Sequence, residues 1–356
     1  MRILITGACG FVGSTIALAL REGWPDWHVV GLDNLIRPGS ETNRASLKKH
    51  GINLTHADIR NPSDLETIAR CDWILDAAAN PSVLAGVDGK SSPRQLLEHN
   101  LFGTVNLLEL ARAWSSGFLM LSTSRVYSIH HLAAIRVQAK AARFEPNVKK
   151  TKLVGLSSRG VAEDFSTTPP LSLYGSSKLA SEILACEYAE AFKLPVFINR
   201  CGVLAGAGQF GKIDQGIFSF WIHSWRARRP LKYIGFNGTG LQVRDCLHAR
   251  DLVPLLVKQI KQPKKDAPRI INISGGIKQS ASLLELSAWC ENRFGKSNIS
   301  GAKESRPFDV PWLVLDSSLA RNVWRWSPQT SLEAIWNEIA THATANPHWL
   351  EATADP

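Results

Sequence analysis

Long apolar runs are missing from this 356-residue sequence. None reaches the roughly 18 residues that a bilayer-spanning helix needs, so no membrane association is expected. The N-terminal run MRILITGACGFVG breaks into glycines after Thr6. A secretory signal needs a longer apolar region and a small-residue cleavage site, so this run reads as a first strand. Cysteine is sparse and scattered. Cys9, Cys71, Cys186, Cys201, Cys246 and Cys290 form no C-x-x-C pair and no Cys/His cluster with zinc spacing. That pattern predicts no metal site and six reduced thiols in a cytoplasmic protein. Acidic residues are the scarcer sign, 31 against 41 basic, and the net charge of +10 suits an anionic partner. No internal repeat or low-complexity tract occurs. With 44% hydrophobic and 20% charged residues, global disorder is excluded. At roughly 150 residues per domain, two domains are expected.

What is present is an alternation. Strand-like runs lie at Arg2–Thr6, Trp27–Asp33, Ile52–Asp58, Trp73–Ala78, Phe118–Ser122 and Pro195–Arg200. Between them lie helical stretches such as Ser14–Arg21, Arg94–Trp114 and Lys178–Phe192. Alternating strands and helices imply right-handed crossovers and a parallel sheet. Unbroken runs such as Ile3-Leu4-Ile5 fit strands buried on both faces. Past Arg200 the alternation fades. A helix over Asp214–Arg229, a glycine-rich stretch Gly235–Gly240, a strand Arg269–Ile273 and helices near Ser282–Arg293 and Leu332–Thr341 predict a smaller lobe. The segment Ser128–Pro170 has no clean period and carries six Lys/Arg between Arg136 and Lys152. Such a segment is either functional or disordered. The expected fold is α/β: a Rossmann-like, doubly wound parallel sheet over 1–200, with 246–273 returning to it. A smaller α/β substrate lobe is expected over 201–245 and 274–356.

Gly7, Gly10 and Gly13 follow the first strand and open a helix. The first permits a tight turn, the second lets backbone approach a pyrophosphate, and the third lets helix pack on strand. The helix N-terminus then faces the negative charge. Asp33 ends the second strand. A carboxylate there accepts hydrogen bonds from an adenosine ribose and repels a 2′-phosphate, which favours NAD over NADP. Arg37, close by, reads as a solvated loop cation. Asp58-Ile59 and Ala77-Ala78-Ala79 end the third and fourth strands, where the ligand crevice of such sheets lies.

Tyr174 and Lys178 stand four residues apart, on one helix face. A phenol of reference pKa about 10 is a poor base at neutral pH. A neighbouring ammonium favours phenolate and moves it toward general-base range. Oxidising a carbinol needs such a base, because hydride leaves carbon only as the hydroxyl proton is removed. Ser122, Thr123 and Ser124, ending the fifth strand, offer hydroxyls toward the same oxygen.

In this order and spacing, these residues resemble the extended short-chain dehydrogenase/reductase family over most of the chain. Residues Asn100 to Glu109 are similar to that family's helix after the fourth strand. The resemblance implies NAD as cofactor, Tyr174 as base, and Lys178 holding the nicotinamide ribose while tuning Tyr174. It implies Thr123 as the positioning hydroxyl, because Thr123 stands four residues before Tyr127 in an S/T-x-x-V-Y motif. The implied cofactor contacts are Gly7, Gly10, Phe11, Val12, Asp33, Asn34, Asp58, Ile59, Ala77, Ala78, Ala79 and Asn100, with Tyr174 and Lys178.

The family's 4,6-dehydratases carry Asp-Glu directly after that Thr, and its decarboxylases a Glu. Ser124-Arg125 supplies neither carboxylate, which points to epimerisation. Gln209-Phe210, Asp214-Gln215-Gly216, the run Gln242 to His248, Asn272-Ile273 and the run Ser282 to Leu286 are similar to the CDP-paratose 2-epimerase branch. By the resemblance, Arg244, Arg306 and Asp309 hold the nucleotide diphosphate and ribose, a task that suits arginine's planar fork. Ser124, Arg125 and Gln209 complete the implied substrate set. The departures are Ser128 for a usual glycine, Asn80 for a frequent Gln, the length of Ser128–Pro170, and Arg200-Cys201-Gly202; they bear on the sugar, not the cofactor. The expected activity is NAD-dependent nucleotide-sugar epimerisation through a transient keto-sugar, at C2 of a CDP-sugar. A UDP-sugar 4-epimerase or a nucleotide-sugar dehydrogenase/reductase uses the same residues. The expected partners are a CDP- or UDP-linked sugar and a second copy of the chain, paired through Arg94–Trp114 and Lys178–Phe192. A non-enzyme alternative is an RNA-binding member of the fold, supported by the charge and by Trp221, Trp225 and Tyr233 among basic residues. Trp221 and Trp225 at i, i+4 instead predict a buried helix face, so no nucleic-acid partner is expected.

Overall fold

The computed structural model describes residues 1–89, 91–212, 215–264, 266–302, 304 and 307–354. In chain order, β1 (Arg2–Thr6) leads into α1 (Phe11–Gly23), followed by β2 (His28–Asp33), β3 (Asn53–His56) and β4 (Trp73–Asp76). Then come α2 (Gly103–Trp114), β5 (Gly117–Thr123), α3 (Leu173–Phe192) and β6 (Val196–Cys201). The remaining elements used below are α4 (Ile217–Arg226), α5 (Val253–Lys261), β7 (Ile270–Ile273), α6 (Leu283–Phe294) and α7 (Leu332–Ala345). The seven strands form one sheet in the order β7-β6-β5-β4-β1-β2-β3. Every pairing in it is parallel. The order reverses between β1 and β4, and that switch point opens a crevice at the strands' carboxyl ends.

The unbroken apolar runs have a plain cause. Ile3, Ile5 and Leu75 point into one core with Ile16 and Leu20 of α1 and Leu255 and Leu256 of α5. Leu4, Ile74 and Phe118 point into another, with Leu107 and Leu108 of α2 and Ala185 and Ala189 of α3. Both faces of each central strand are dry. A third core, in the lobe, gathers Trp221, Trp225, Leu286, Cys290, Ile335 and Ile339. Trp221 and Trp225 are each 2% exposed. Their indole N–H groups donate to Ser287 Oγ at 3.0 Å and Gly295 O at 2.9 Å. Tyr233 stacks on Trp221. These aromatics are packing, and they offer no platform for nucleic-acid bases.

Several expectations are corrected. The helix expected over 94–114 is three pieces: Pro93–Leu97, one π turn at Glu98–Phe102, and α2. The helix expected over 214–229 is the shorter α4, entered through Gly216 at φ +69°. Asp214 lies outside the described residues. The strand expected over 52–58 shortens to Asn53–His56. Residues 128–170 fold as a short helix (Ile129–Ala133), a hairpin (Val137–Lys140 with Arg143–Pro146) and a second small hairpin (Leu156–Ser157 with Gly160–Val161). Their order comes from the lobe they lie on. Arg143 pairs with Glu285 at 3.0 Å, Phe144 N–H donates to Leu241 O at 2.9 Å, and Arg159 pairs with Asp316 at 2.9 Å. Among the described residues no helix is long and apolar enough to cross a membrane.

Candidate active site

Thr6 ends β1, and the chain turns at Gly7 with φ +62°. A Cβ on Gly7 would stand 2.9 Å from Ala78 Cα, and one on Gly13 would stand 2.1 Å from Gly7 O. Side chains are impossible at both, so the loop packs backbone to backbone on the Ala77-Ala78 turn. Thr6 Oγ1 accepts from the N–H groups of Ala77 and Ala78, each at 3.2 Å, and donates to Asp76 Oδ1 at 3.2 Å. Thr104 Oγ1 donates to the other Asp76 oxygen at 2.8 Å. One hydroxyl thereby stitches together the two strand ends that flank the switch point. Gly10 N–H donates to Gly7 O at 2.9 Å, and α1 starts at Phe11 with first-turn N–H groups left over for a ligand. The Phe11 ring packs toward Gly206. Val12 is half-buried and Ala79 is exposed.

Asp33 Oδ2 accepts from Cys9 N–H and Oδ1 from Leu35 N–H, each at 2.8 Å. Burial raises the Asp33 pKa, while backbone bonds from Leu35, Cys9 and Gly10 pull it down; the net direction is up. Asn34 Nδ2 donates to Asp58 Oδ2 at 2.9 Å, and Arg60 pairs with Asp58 at 2.6 Å. Burial opposes charge on Asp58, but the bonds from Arg60 and Asn34 win and hold its carboxyl well below the usual range. Ile59 packs against Gly103. Asn100 is fully buried in the π turn. Its Oδ1 accepts from Asn80 N–H at 2.8 Å, and its Nδ2 donates to Asn80 O at 3.0 Å and Ser177 Oγ at 3.3 Å. Single π turns of this kind recur at functional sites. Arg37 is not a solvated cation: Nη2 donates to Phe210 O at 3.1 Å, and the guanidinium lies 5.9 Å from the Phe210 ring centre.

Thr123 ends β5 and caps the turn Ser124–Val126, its Oγ1 accepting from Arg125 N–H at 3.2 Å. Ser172 caps α3 by accepting from Gly175 N–H at 3.0 Å. A Cβ on Gly175 would stand 2.2 Å from Arg125 O. The first turn of α3 therefore lies directly on the turn after Thr123, which brings the Thr123 side chain beside the Tyr174 phenol. Burial raises the phenol pKa, the Thr123 side chain lowers it, Cys201 raises it and the Arg125 charge lowers it; the net direction is up. Lys178, one turn further on, is 2% exposed. Among the described residues its ammonium has no hydrogen-bond or ion-pair partner. It faces Cys201, where its charge opposes the burial that raises that thiol's pKa. Thr123, Tyr174 and Lys178 are thus brought to one place.

On the lobe side, Arg244 Nη2 donates to Asp309 Oδ1 at 2.9 Å, with both side chains near 90% buried (13% and 11% exposed). Arg125 Nη1 reaches Phe308 O at 3.4 Å. Arg125, Arg244 and Asp309 therefore converge on residues 308–309. Ser124 is buried beside Thr123 at 7% exposed. Gln209 is engaged elsewhere, donating from Nε2 to Leu204 O at 2.7 Å beneath Gly216. Arg306 lies outside the described residues. Among those residues, no group of three or more His, Cys, Asp or Glu side chains is placed to hold a metal ion.

The sequence alone did not point to Thr6 or Ser177. Thr6 carried a signal, a hydroxyl directly before the glycine loop. Ser177 carried none, because its partner Asn100 is distant in the chain. Asn80, expected only as a departure bearing on the sugar, is bonded through its backbone to Asn100.

Residues 3–274 match the NAD dependent epimerase/dehydratase family. The chain is 30% identical over 345 residues to the CDP-paratose 2-epimerase of Salmonella typhi, covering 93% of this chain and 96% of the relative. It is 27% identical over 340 residues to the UDP-glucuronate 4-epimerase of Thermodesulfobacterium geofontis, covering 93% and 92%. The crystal structure of the UDP-glucuronic acid 4-epimerase of Bacillus cereus, in complex with UDP-glucuronic acid and NAD, superposes with a TM-score of 0.76 at 27% identity, covering 97% of this chain and 99% of that one. Glycine loop, sheet order, the Thr123, Tyr174 and Lys178 cluster and these likenesses agree: the chain belongs to the NAD dependent epimerase/dehydratase family.

Proposed function

We propose that this enzyme epimerises a nucleotide-diphosphate sugar, at C2 of a CDP-linked sugar, with NAD held through the cycle. The observation that carries the reading is the buried Lys178 side chain one helical turn from the Tyr174 phenol, with the Thr123 side chain beside that phenol. The residues fit NAD. Gly7 and Gly13 let the loop pack backbone to backbone between the Ala77-Ala78 turn and α1, which sets the α1 N-terminus at the crevice. Asp33 accepts from the Cys9 and Leu35 N–H groups and keeps lone-pair capacity for a ribose hydroxyl, while its charge disfavours a 2′-phosphate. When bound, NAD supplies a hydride acceptor that returns what it takes. Gly7, Gly10, Phe11 and Val12 hold its pyrophosphate end; Asp33, Asn34, Asp58 and Ile59 flank the adenosine; Ala77, Ala78, Ala79 and Asn100 form the crevice wall.

Thr123 Oγ orients the reacting hydroxyl. Tyr174 removes its proton and later restores it. Lys178 favours the phenolate through its charge. Ser124 and Arg125 stand where a carboxylate would serve elimination, which supports epimerisation over dehydration. Arg244 and Asp309 grip the nucleotide, with Arg306 assigned to the same end, while Gln209, bonded to Leu204 O, is not brought there. We assign 1–200 and 246–273 to the NAD domain and 201–245 with 274–356 to the sugar lobe. The pairing of β7 with β6 supports that division.

The relative at 30% identity favours C2 of a CDP-sugar. The UDP-glucuronate 4-epimerase at 27% covers the chain as fully and favours C4 of a UDP-sugar. Incubation with CDP- and UDP-linked hexoses, with products resolved by NMR, tests the reading. A new epimer at C2 supports it, and net NADH accumulation identifies a dehydrogenase instead. We further propose a homodimer through α2, α3 and the turn before α2, where Phe102, Ile183 and Phe192 are 54%, 57% and 46% exposed. Ile183→Glu should yield a monomer by sedimentation if that face is the interface. Six free cysteines suit the cytoplasm.

A further inference from the structure

Three adjacent parallel strands carry a polar row. Ser122 on β5 is in register with Arg200 on β6, and Arg200 with Asn272 on β7. Arg200 forms an ion pair with Glu182 of α3, the two side chains being 5% and 1% exposed. A pair this deep loses much hydration, which only a full set of hydrogen bonds offsets. Here every nitrogen and oxygen of the pair's charged groups is bonded. Arg200 Nε lies 3.1 Å from both Glu182 oxygens, and Nη2 lies 2.7 Å from Oε2. Glu182 Oε1 also accepts from Ser122 Oγ at 2.5 Å. On the far side, Arg200 Nη1 donates to Tyr127 OH at 3.2 Å and Glu163 O at 3.3 Å. Tyr127 OH donates to Asn272 Oδ1 at 2.7 Å, and Asn272 Nδ2 donates to Val161 O at 3.0 Å.

Glu182 follows Tyr174 by eight residues and Lys178 by four on one helix. Ser122 directly precedes Thr123. The Ser122–Glu182 bond therefore ties the helix that carries the phenol to the strand that carries its hydroxyl partner. We propose that Ser122, Glu182 and Arg200 are positioning residues that set the separation of Thr123 from Tyr174. Tyr127, Asn272 and the small hairpin at 156–161 with the residues after it form the outer clamp. This gives residues 128–170 a part in the reaction without contact with the substrate. The proposal rests on Tyr174 being the base. The charged or titratable groups that act on Tyr174 are Arg125 from the turn after β5 and Cys201 from β6, and Cys201 in turn faces Lys178; none is altered by a change at Ser122.

Ser122→Ala tests the proposal, because it removes one hydroxyl and leaves the ion pair. The chain has four tyrosines, so the Tyr174 phenol can be titrated at the phenolate absorption band as a difference against Tyr174→Phe, with no sugar present. In Ser122→Ala the phenol should ionise at higher pH than in the parent, because the Thr123 side chain, which favours the phenolate, is held less closely against it. The kcat should fall roughly ten- to a hundredfold at unchanged KM and unchanged NAD content. Ser122→Thr, which keeps the hydroxyl, should restore both. Parental titration and parental kcat in Ser122→Ala would overturn the proposal. If the parent turns over no nucleotide sugar, the functional reading fails, and the titration still decides whether Ser122 positions Tyr174.

Discussion

Tyr174 and Gly175 show how closely chemistry and packing share this site. Tyr174→Phe removes only the titrating oxygen, so fold and NAD content should persist while turnover drops ~10²–10⁴-fold, the usual worth of a general base. Steady-state rates beside cofactor release from denatured protein check both halves; near-parental turnover would remove Tyr174 from the chemistry. Gly175→Ala acts differently. Its Cβ would lie 2.2 Å from Arg125 O, a backbone atom with little room to yield. The first turn of α3 must lift off the turn after Thr123, so kcat should fall at least tenfold, to roughly the cost of a 1 Å misplacement. The melting temperature should fall with it, which separates this variant from Tyr174→Phe. At the other end of the crevice, Asp33 should make protein-bound cofactor NAD or NADH. Mass spectrometry of the released nucleotide checks this, and recovery of NADP(H) would contradict the carboxylate argument.

At the scale of elements, the contact between α4 and α7 carries a pH dependence. His223 on α4 and His342 on α7 meet at 3.3 Å, Nε2 to Nδ1. Burial, with the neighbouring His342 and Arg229, lowers the His223 pKa from 6.5 to about 3. The unfolded chain therefore binds one more proton than the folded chain between those values, and stability must fall as pH falls through that window. From pH 7 to pH 5 this group alone should cost about 2 kcal/mol. Urea unfolding at the two pH values measures the loss, and His223→Leu should flatten it; an unchanged slope would show that His223 is not the group responsible. The same elements show what the sequence disclosed. Gly7, Gly13, Tyr174 and Lys178 were legible because their meaning lies in spacing within one turn or helix. Arg244 and Asp309 were singled out only through likeness to relatives, and their ion pair was not legible, since the two are far apart in the chain. Residues 128–170 were illegible because strands of two to four residues carry no period. Their order comes from Glu285, Leu241 and Asp316, all distant in sequence.

For the whole molecule, the decisive question is which carbon of the sugar lies between Thr123 and Tyr174. The NAD end is set by the sheet, and its geometry does not depend on the sugar. At the lobe end Arg244 and Asp309 form a buried ion pair, and under the proposed function that pair anchors the nucleotide. The linkage from diphosphate to reacting carbon is shorter for C2 than for C4, so anchor and base together select the carbon. If C2 is selected, hydrogen leaves and returns at C2 without exchange with solvent, because nothing in a closed cycle releases it. A substrate deuterated at C2 should then keep its label through inversion and show a primary isotope effect on the chemical step, with C4 deuteration silent. NMR of the product and competitive rates read both quantities. An effect at C4 with a silent C2 would make this chain a 4-epimerase, like its relatives at 27% identity. The roles of Thr123, Tyr174 and Lys178 would survive that result, since either carbon needs the same proton removed from the same kind of hydroxyl. Washout of the label into water would instead exclude hydride return at the labelled carbon, and with it the closed cycle that a tightly held cofactor implies.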